Sequence, residues 1–114
     1  MLVNPFFYAK MGAKAVWGPI PLTEEFLKTG LGWLMGASLI GTHGVFGLIE
    51  FLWDLFQPGR GQWLPGLVGF LSHLFFGFMT GWVYQLSGSL LLGVLITVLI
   101  HMGLNFSMHL AEKL

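Results

Sequence analysis

The chain has 114 residues, of which 55% are hydrophobic and only 9% are charged, and its formal net charge is zero. Soluble domains carry about 25% charged residues, so this composition excludes an ordinary soluble fold and predicts a single-domain integral membrane protein. Zero net charge excludes a basic footprint for nucleic acid, and the lack of cysteine excludes disulfides, thiol nucleophiles and cysteine metal sites.

The first predicted element is an N-terminal segment, residues 1–20, in which Lys10 and Lys14 stand among aromatic side chains. This mixture is typical of an amphipathic segment at the membrane interface, with rings among the headgroups and lysines in water. A frayed terminus is the alternative that the sequence leaves open. We therefore divide the chain into an interfacial segment, residues 1–20, and a transmembrane core, residues 21–114.

Two spans are predicted in the first half of the core. The apolar pattern of residues 23–40 is long enough for a first span. Residues 41–44, Gly-Thr-His-Gly, then predict a break, followed by a shorter helix over residues 45–56. His43 falls within that break, so we expect it to lie near a membrane interface.

The second half of the core predicts two further spans. The polar composition and the Pro-Gly pair of residues 57–62 predict a loop, and the apolar pattern of residues 65–84 predicts a third span. A turn at residues 85–88 precedes the fourth span, residues 89–109, which contains the strongest apolar run of the chain. The predicted fold is an all-α polytopic transmembrane helical bundle with about four spans.

Charge placement predicts the orientation of these spans. Four crossings put both termini and the loop after residue 56 on one side of the membrane. That side carries Lys10, Lys14, Arg60 and Lys113, whereas the two opposite loops contain no Lys or Arg. The positive-inside rule makes the basic side cytoplasmic. We expect an integral protein of a prokaryotic cytoplasmic membrane with both termini in the cytoplasm.

Titratable residues of all four spans fall at similar depths below that face. A rise of 1.5 Å per residue puts His73 and His101 roughly 12 Å deep, Glu50 roughly 10 Å and Glu24 and Glu25 about 5–8 Å. An ionisable residue in a membrane segment costs about 2.5–3.5 kcal/mol and indicates function by default. The alternatives are a charged collar for the glutamates and interhelical hydrogen bonding for the histidines.

The residue types predict hydrolytic or metal chemistry. His101 and Asn105 are one helical turn apart and share a face, where they can hold a water, a metal ion or a developing oxyanion. Two histidines with a carboxylate are typical zinc ligands, so His73, His101 and Glu50 are candidate ligands for a divalent ion such as zinc. A glutamate-activated water without metal is the alternative.

Four motifs resemble those of PrsW-type intramembrane proteases, which fall within the CAAX prenyl protease/bacteriocin-processing (CPBP) superfamily. They resemble, in order, the EExxK, FxxxE, histidine-bearing and HxxxN motifs of that family. The matching segments are Glu24-Glu25-Phe26-Leu27-Lys28, Phe46-Gly47-Leu48-Ile49-Glu50, Ser72-His73-Leu74-Phe75-Phe76-Gly77 and His101-Met102-Gly103-Leu104-Asn105. The resemblance extends over roughly residues 19–109 of the chain.

The resemblance implies hydrolysis of a peptide bond in or beside the membrane, with a membrane protein or peptide as substrate. Glu24 or Glu25 would activate a water, and His73 and Glu50 would orient it or bind a metal. His101 and Asn105 would stabilise the tetrahedral oxyanion. From the residues alone, we interpret Lys28 as an ion-pair partner that orients a glutamate and not as a catalyst.

Two other classes of function stay open on the sequence alone. One is a non-catalytic membrane scaffold or immunity-type protein with the same fold. The other is a small proton or ion pathway lined by the same carboxylates and histidines. PrsW-type proteins usually carry further spans before EExxK, so the resemblance also implies a partner subunit or a homo-oligomer that completes the fold. An ion pathway would likewise need several copies, because four spans form a narrow bundle.

Overall fold

The computed structural model describes residues 4–56, 63–111 and 113–114, with side chains from residue 7 onward. These residues form helices and turns, and no strand occurs among them. In chain order the helices are α1 Asn4–Met11, α2 Lys14–Trp17, α3 Pro19–Leu34, α4 Leu39–Phe56, α5 Trp63–Ser87 and α6 Leu90–Ala111. The polar loop predicted at residues 57–62 lies outside the described residues.

Three of these helices are long and apolar enough to cross a membrane. α4, α5 and α6 have 18, 25 and 22 residues, against the roughly 20 residues that span a hydrocarbon core about 30 Å thick. The prediction of an all-α transmembrane helical bundle is confirmed. α3, in place of the first predicted span, has only 16 residues and carries three charges.

The boundary between α3 and α4 differs from the predicted break at residues 41–44. Gly36 has a φ of +66° and ends α3 by donating its N–H to the carbonyl of Trp33 at 3.1 Å. Ser38 then caps α4, because its hydroxyl oxygen accepts the N–H of Gly41 at 3.0 Å. Residues 41–44 lie inside α4, so the predicted break is wrong and this helix is longer than expected.

A glycine with a positive φ followed by a capping serine also separates α5 from α6. Gly88 has a φ of +70°, and the hydroxyl of Ser89 accepts the N–H of Leu92 at 3.2 Å. The turn predicted over residues 85–88 is therefore shorter than expected, since α5 continues through Ser87.

Small residues let α4 and α5 pack closely. A Cβ built on Gly47 would lie 2.8 Å from the Cβ of His73, and one built on Gly77 would lie 2.9 Å from the Cβ of His43. Both contacts are closer than real Cβ atoms allow, so the two glycines permit the helix approach that puts both histidines in the interface.

The N-terminal segment packs against the core through α2. Ala15 is fully buried, and the side-chain amide of Asn105 on α6 donates to the carbonyl of Val16 at 2.8 Å. The segment is therefore held over the C-terminal half of α6, next to the residues described below.

Candidate active site

α3 brings three buried polar side chains to its core-facing side. Glu25, Lys28 and Thr29 are 0%, 1% and 2% exposed. Their spacing of three and four residues puts them on one face of the helix. Glu24 lies beside them and keeps 16% of its side chain exposed.

The ammonium group of Lys28 is the positive centre of the site. Its Nζ donates to Nδ1 of His73 at 2.9 Å and lies 3.5 Å from Oε1 of Glu25 and 3.6 Å from Oε2 of Glu24. Two neighbouring carboxylates on α3 are therefore joined by one cation to a histidine on α5.

The contacts of His73 assign its tautomer. Because Lys28 donates to Nδ1, that nitrogen is an acceptor and the proton of the neutral ring lies on Nε2. Nε2 in turn donates to Oε2 of Glu50 on α4 at 2.5 Å. Both ring nitrogens are engaged, so the imidazole is fixed in orientation between the charged residues of α3 and α4.

His101 on α6 is fixed in a different way. Its Nδ1 donates to Oε1 of Glu25 at 2.8 Å, and its ring stacks on Phe76 with a centroid distance of 4.4 Å. Only 7% of the residue is exposed. The carboxylate thus occupies one edge of the ring and leaves Nε2 on the opposite edge.

His43 belongs to the same site, so the expected position near an interface is wrong. The residue is fully buried, with Nδ1 3.5 Å from Oε2 of Glu25 and Nε2 3.4 Å from the hydroxyl of Thr29. Sequence reasoning missed it because the predicted break hid its helical position. The available signal is its spacing of seven residues, or two helical turns, before Glu50.

A cavity of about 1110 Å³ reaches the site. Its polar lining includes Glu24, Glu50, His73, His101 and Asn105. Most of its remaining wall is apolar and comes from α1, α2, α3, α5 and α6: Ala9, Val16, Ile20, Leu64, Pro65, Val68, Phe76, Leu104 and Met108. The buried groups of Glu25, Lys28 and His43 lie behind this lining, so the site has a cavity-facing layer and a buried layer.

Three buried residues of the site, from both layers, could hold a metal ion. Glu25, His43 and His73 each offer a ligand atom, and these atoms lie within 4.8 Å of one another. Of the ligands that the sequence predicts, His73 belongs to this group. His101 and Glu50 instead hydrogen-bond to Glu25 and His73 respectively.

Asn105 is brought to the cavity, but its amide is already engaged. It lines the same cavity as His101 while donating to the carbonyl of Val16. The structure therefore brings all six predicted catalytic residues to one region, with Asn105 tied to the N-terminal segment.

Comparisons of the chain with protein-family models, curated proteins and solved structures return no match. The interpretation of the site therefore depends on its own geometry and on the sequence motifs.

Proposed function

We propose that the chain is an intramembrane endopeptidase that resembles the PrsW-type proteases. The observation that carries the proposal is the cavity lining, in which Glu24, Glu50, His73 and His101 meet beside apolar walls. Peptide hydrolysis in a membrane requires a polar chamber that holds and deprotonates water where lipid would exclude it.

Glu24 is the general base in this proposal. It lines the cavity, whereas Glu25 is fully buried and already holds His101. Glu24 takes a proton from a water molecule, and the water oxygen forms a bond to the carbonyl carbon of the substrate. The intermediate then breaks its C–N bond as Glu24 returns the proton to the departing amine. Glu50, oriented by His73, holds the water.

His101 is the proposed oxyanion donor. When the ring carries a proton on both nitrogens, Nδ1–H stays on Glu25 and Nε2–H can donate to the developing negative charge. Asn105 is a second donor in this proposal. Its side-chain amide would leave the carbonyl of Val16 and donate to the oxyanion instead.

The substrate expected for this cavity is an apolar peptide segment of a membrane protein or a membrane-bound peptide. Leu64 and Val68 on α5, with Leu104 and Met108 on α6, form an apolar path toward the histidines. The peptide bond to be cleaved would lie where these walls end and the polar lining begins.

A peptidase assay on purified variants tests the proposal. Glu24→Gln should lower kcat about 10²–10⁴-fold, the contribution typical of a general base. Asp54→Asn is the matched control, because this exposed carboxylate at the end of α4 does not line the cavity. The probe is a pool of internally quenched apolar peptides in detergent. Full-rate cleavage by the Glu24 variant would show that Glu24 is not the general base.

A zinc-dependent mechanism is the alternative to the metal-free one within this proposal. Oε2 of Glu25 and Nδ1 of His43 are buried without hydrogen-bond partners, which fits metal ligands. With His73 they would hold a divalent ion, which would supply a Lewis acid. The ammonium of Lys28 already occupies Nδ1 of His73 and competes with such an ion. Elemental analysis of wild type, His73→Ala and Lys28→Met decides this, since a metal site should lose zinc in the first variant and retain it in the second.

We also propose a prokaryotic cytoplasmic membrane location with both termini cytoplasmic. The turns at residues 35–38 and 88–89 carry no Lys or Arg, which by the positive-inside rule favours the non-cytoplasmic side of the membrane for both turns. Because the chain has no cysteine, labelling of Asn4→Cys, Ser38→Cys and Leu114→Cys with a membrane-impermeant maleimide tests the orientation. If α3 crosses as a fourth span, Asn4→Cys and Leu114→Cys should react from the same side and Ser38→Cys from the opposite side.

A further inference from the structure

Four buried polar groups from three helices form a continuous series behind the cavity lining. The hydroxyl of Thr29 lies 3.4 Å from Nε2 of His43, whose Nδ1 lies 3.5 Å from Oε2 of Glu25. The other oxygen of Glu25 accepts from Nδ1 of His101 at 2.8 Å. Thr29, His43 and Glu25 are each 2% exposed or less, so bulk solvent does not hydrogen-bond to their polar atoms.

We propose that His43 is a positioning residue that holds the carboxylate of Glu25 and, through it, the ring of His101. The inference rests on the proposed function and adds a residue that none of its four motifs contains. His101 faces the cavity and would contact the substrate, whereas His43 would act only through Glu25.

The geometry assigns the protons along the series. The carboxylate oxygens of Glu25 can only accept, so a neutral His43 ring faces them best with its proton on Nδ1. Nε2 is then an acceptor, and the hydroxyl of Thr29 at 3.4 Å can donate to it. The separation of 3.5 Å from Nδ1 to Oε2 exceeds a normal hydrogen bond, and a movement of about 0.5 Å closes it.

A carboxylate held at one oxygen can turn about its own bond, whereas contacts at both oxygens fix its plane. His101 and Lys28 both approach Oε1, so His43 is the histidine that faces Oε2. Closing the distance between Nδ1 of His43 and Oε2 of Glu25 would hold this second oxygen, so that the carboxylate keeps its plane and the ring of His101 keeps its orientation. Misplacement of a catalytic group by about 1 Å lowers the rate about 10²-fold.

Two substitutions of His43 distinguish the contact of Nδ1 with Glu25 from the contact of Nε2 with Thr29. His43→Asn keeps an amide donor near the position of Nδ1, facing Glu25, and loses the contact with Thr29. His43→Gln keeps an amide near the position of Nε2, facing Thr29, and loses the donor to Glu25. Both are neutral, polar and of comparable size, so each controls for general disturbance of the α4–α5 interface.

The experiment combines kinetics with NMR of histidine carrying isotope-labelled ring nitrogens. With the quenched apolar peptide pool as probe, His43→Asn should have a higher kcat than His43→Gln, because it keeps a donor that faces Glu25. His43→Gln should lose about 10²-fold in kcat with KM little changed. The Nδ1–H signal of His101 should show one stable hydrogen-bonded state in the Asn variant and exchange between states in the Gln variant.

Equal kcat and equal His101 signals in the two variants would overturn the inference. So would stoichiometric zinc that both variants lose, because His43 would then be a ligand. If wild type cleaves none of the peptides, the proposed function fails, while the NMR comparison still decides whether His43 positions His101 through Glu25.

Discussion

Replacement of Lys28 by methionine removes the one cation of the buried layer. Its Nζ donates to Nδ1 of His73 at 2.9 Å and lies 3.5 Å from Oε1 of Glu25 and 3.6 Å from Oε2 of Glu24. Only 2% of the side chain is exposed. Methionine fills a similar volume without charge or donor. Breaking a buried ion pair by removing one partner costs about 3–5 kcal/mol, because the remaining charge lacks compensation. We expect Lys28→Met to lower the free energy of unfolding by about that amount.

Reversible unfolding of purified protein in mixed detergent micelles measures the effect. Lys113→Met is the control, since this exposed lysine should change stability by no more than about 0.5 kcal/mol. The double variant Lys28→Met/Glu25→Gln should recover part of the loss, because it removes the uncompensated carboxylate as well. A loss below about 1 kcal/mol for Lys28→Met would refute the assignment of Lys28 as the cation that joins α3 to α5.

Three further predictions concern the helix contacts around the site. Gly47→Ala should displace the side chain of His73 and lower both thermal stability and peptide cleavage, whereas Gly103→Ala, where a Cβ meets open space, should change neither. Thr80→Val removes the buried hydroxyl bond between α5 and α6 and should cost about 0.6–2 kcal/mol in the same unfolding assay. Asn105→Leu should release α2, so limited proteolysis should cut the N-terminal segment faster than in wild type.

The spans after residue 62 were the most predictable part of the fold. Their apolar runs exceed 20 residues, and the Gly88-Ser89 pair marks the turn between them. The end of α3 carries the same kind of signal in Gly36 and Ser38. The glycines of residues 41–44 obscured it, because glycine in a membrane helix marks close packing as often as a break.

The composition of the site was predictable only in part. Glu24 and Lys28 share a helical face by spacing alone, and Glu50 and His73 fall at matching depths. The pairing of Glu25 with His101 depends on how α3 packs against α6, which no local pattern encodes. The partner of Asn105 depends likewise on where the N-terminal segment settles.

The most direct measurement follows the oxygen atom that hydrolysis adds to the product. Purified protein in liposomes is incubated with a pool of apolar peptides in water enriched in the heavy oxygen isotope, and new carboxyl termini are analysed by mass spectrometry. The proposed mechanism predicts one heavy oxygen in each new carboxyl terminus for wild type, and about 10²–10⁴-fold less product for Glu24→Gln. Absence of labelled termini in wild type, or equal labelling in the variant, would contradict the assignment of this cavity as a peptidase site.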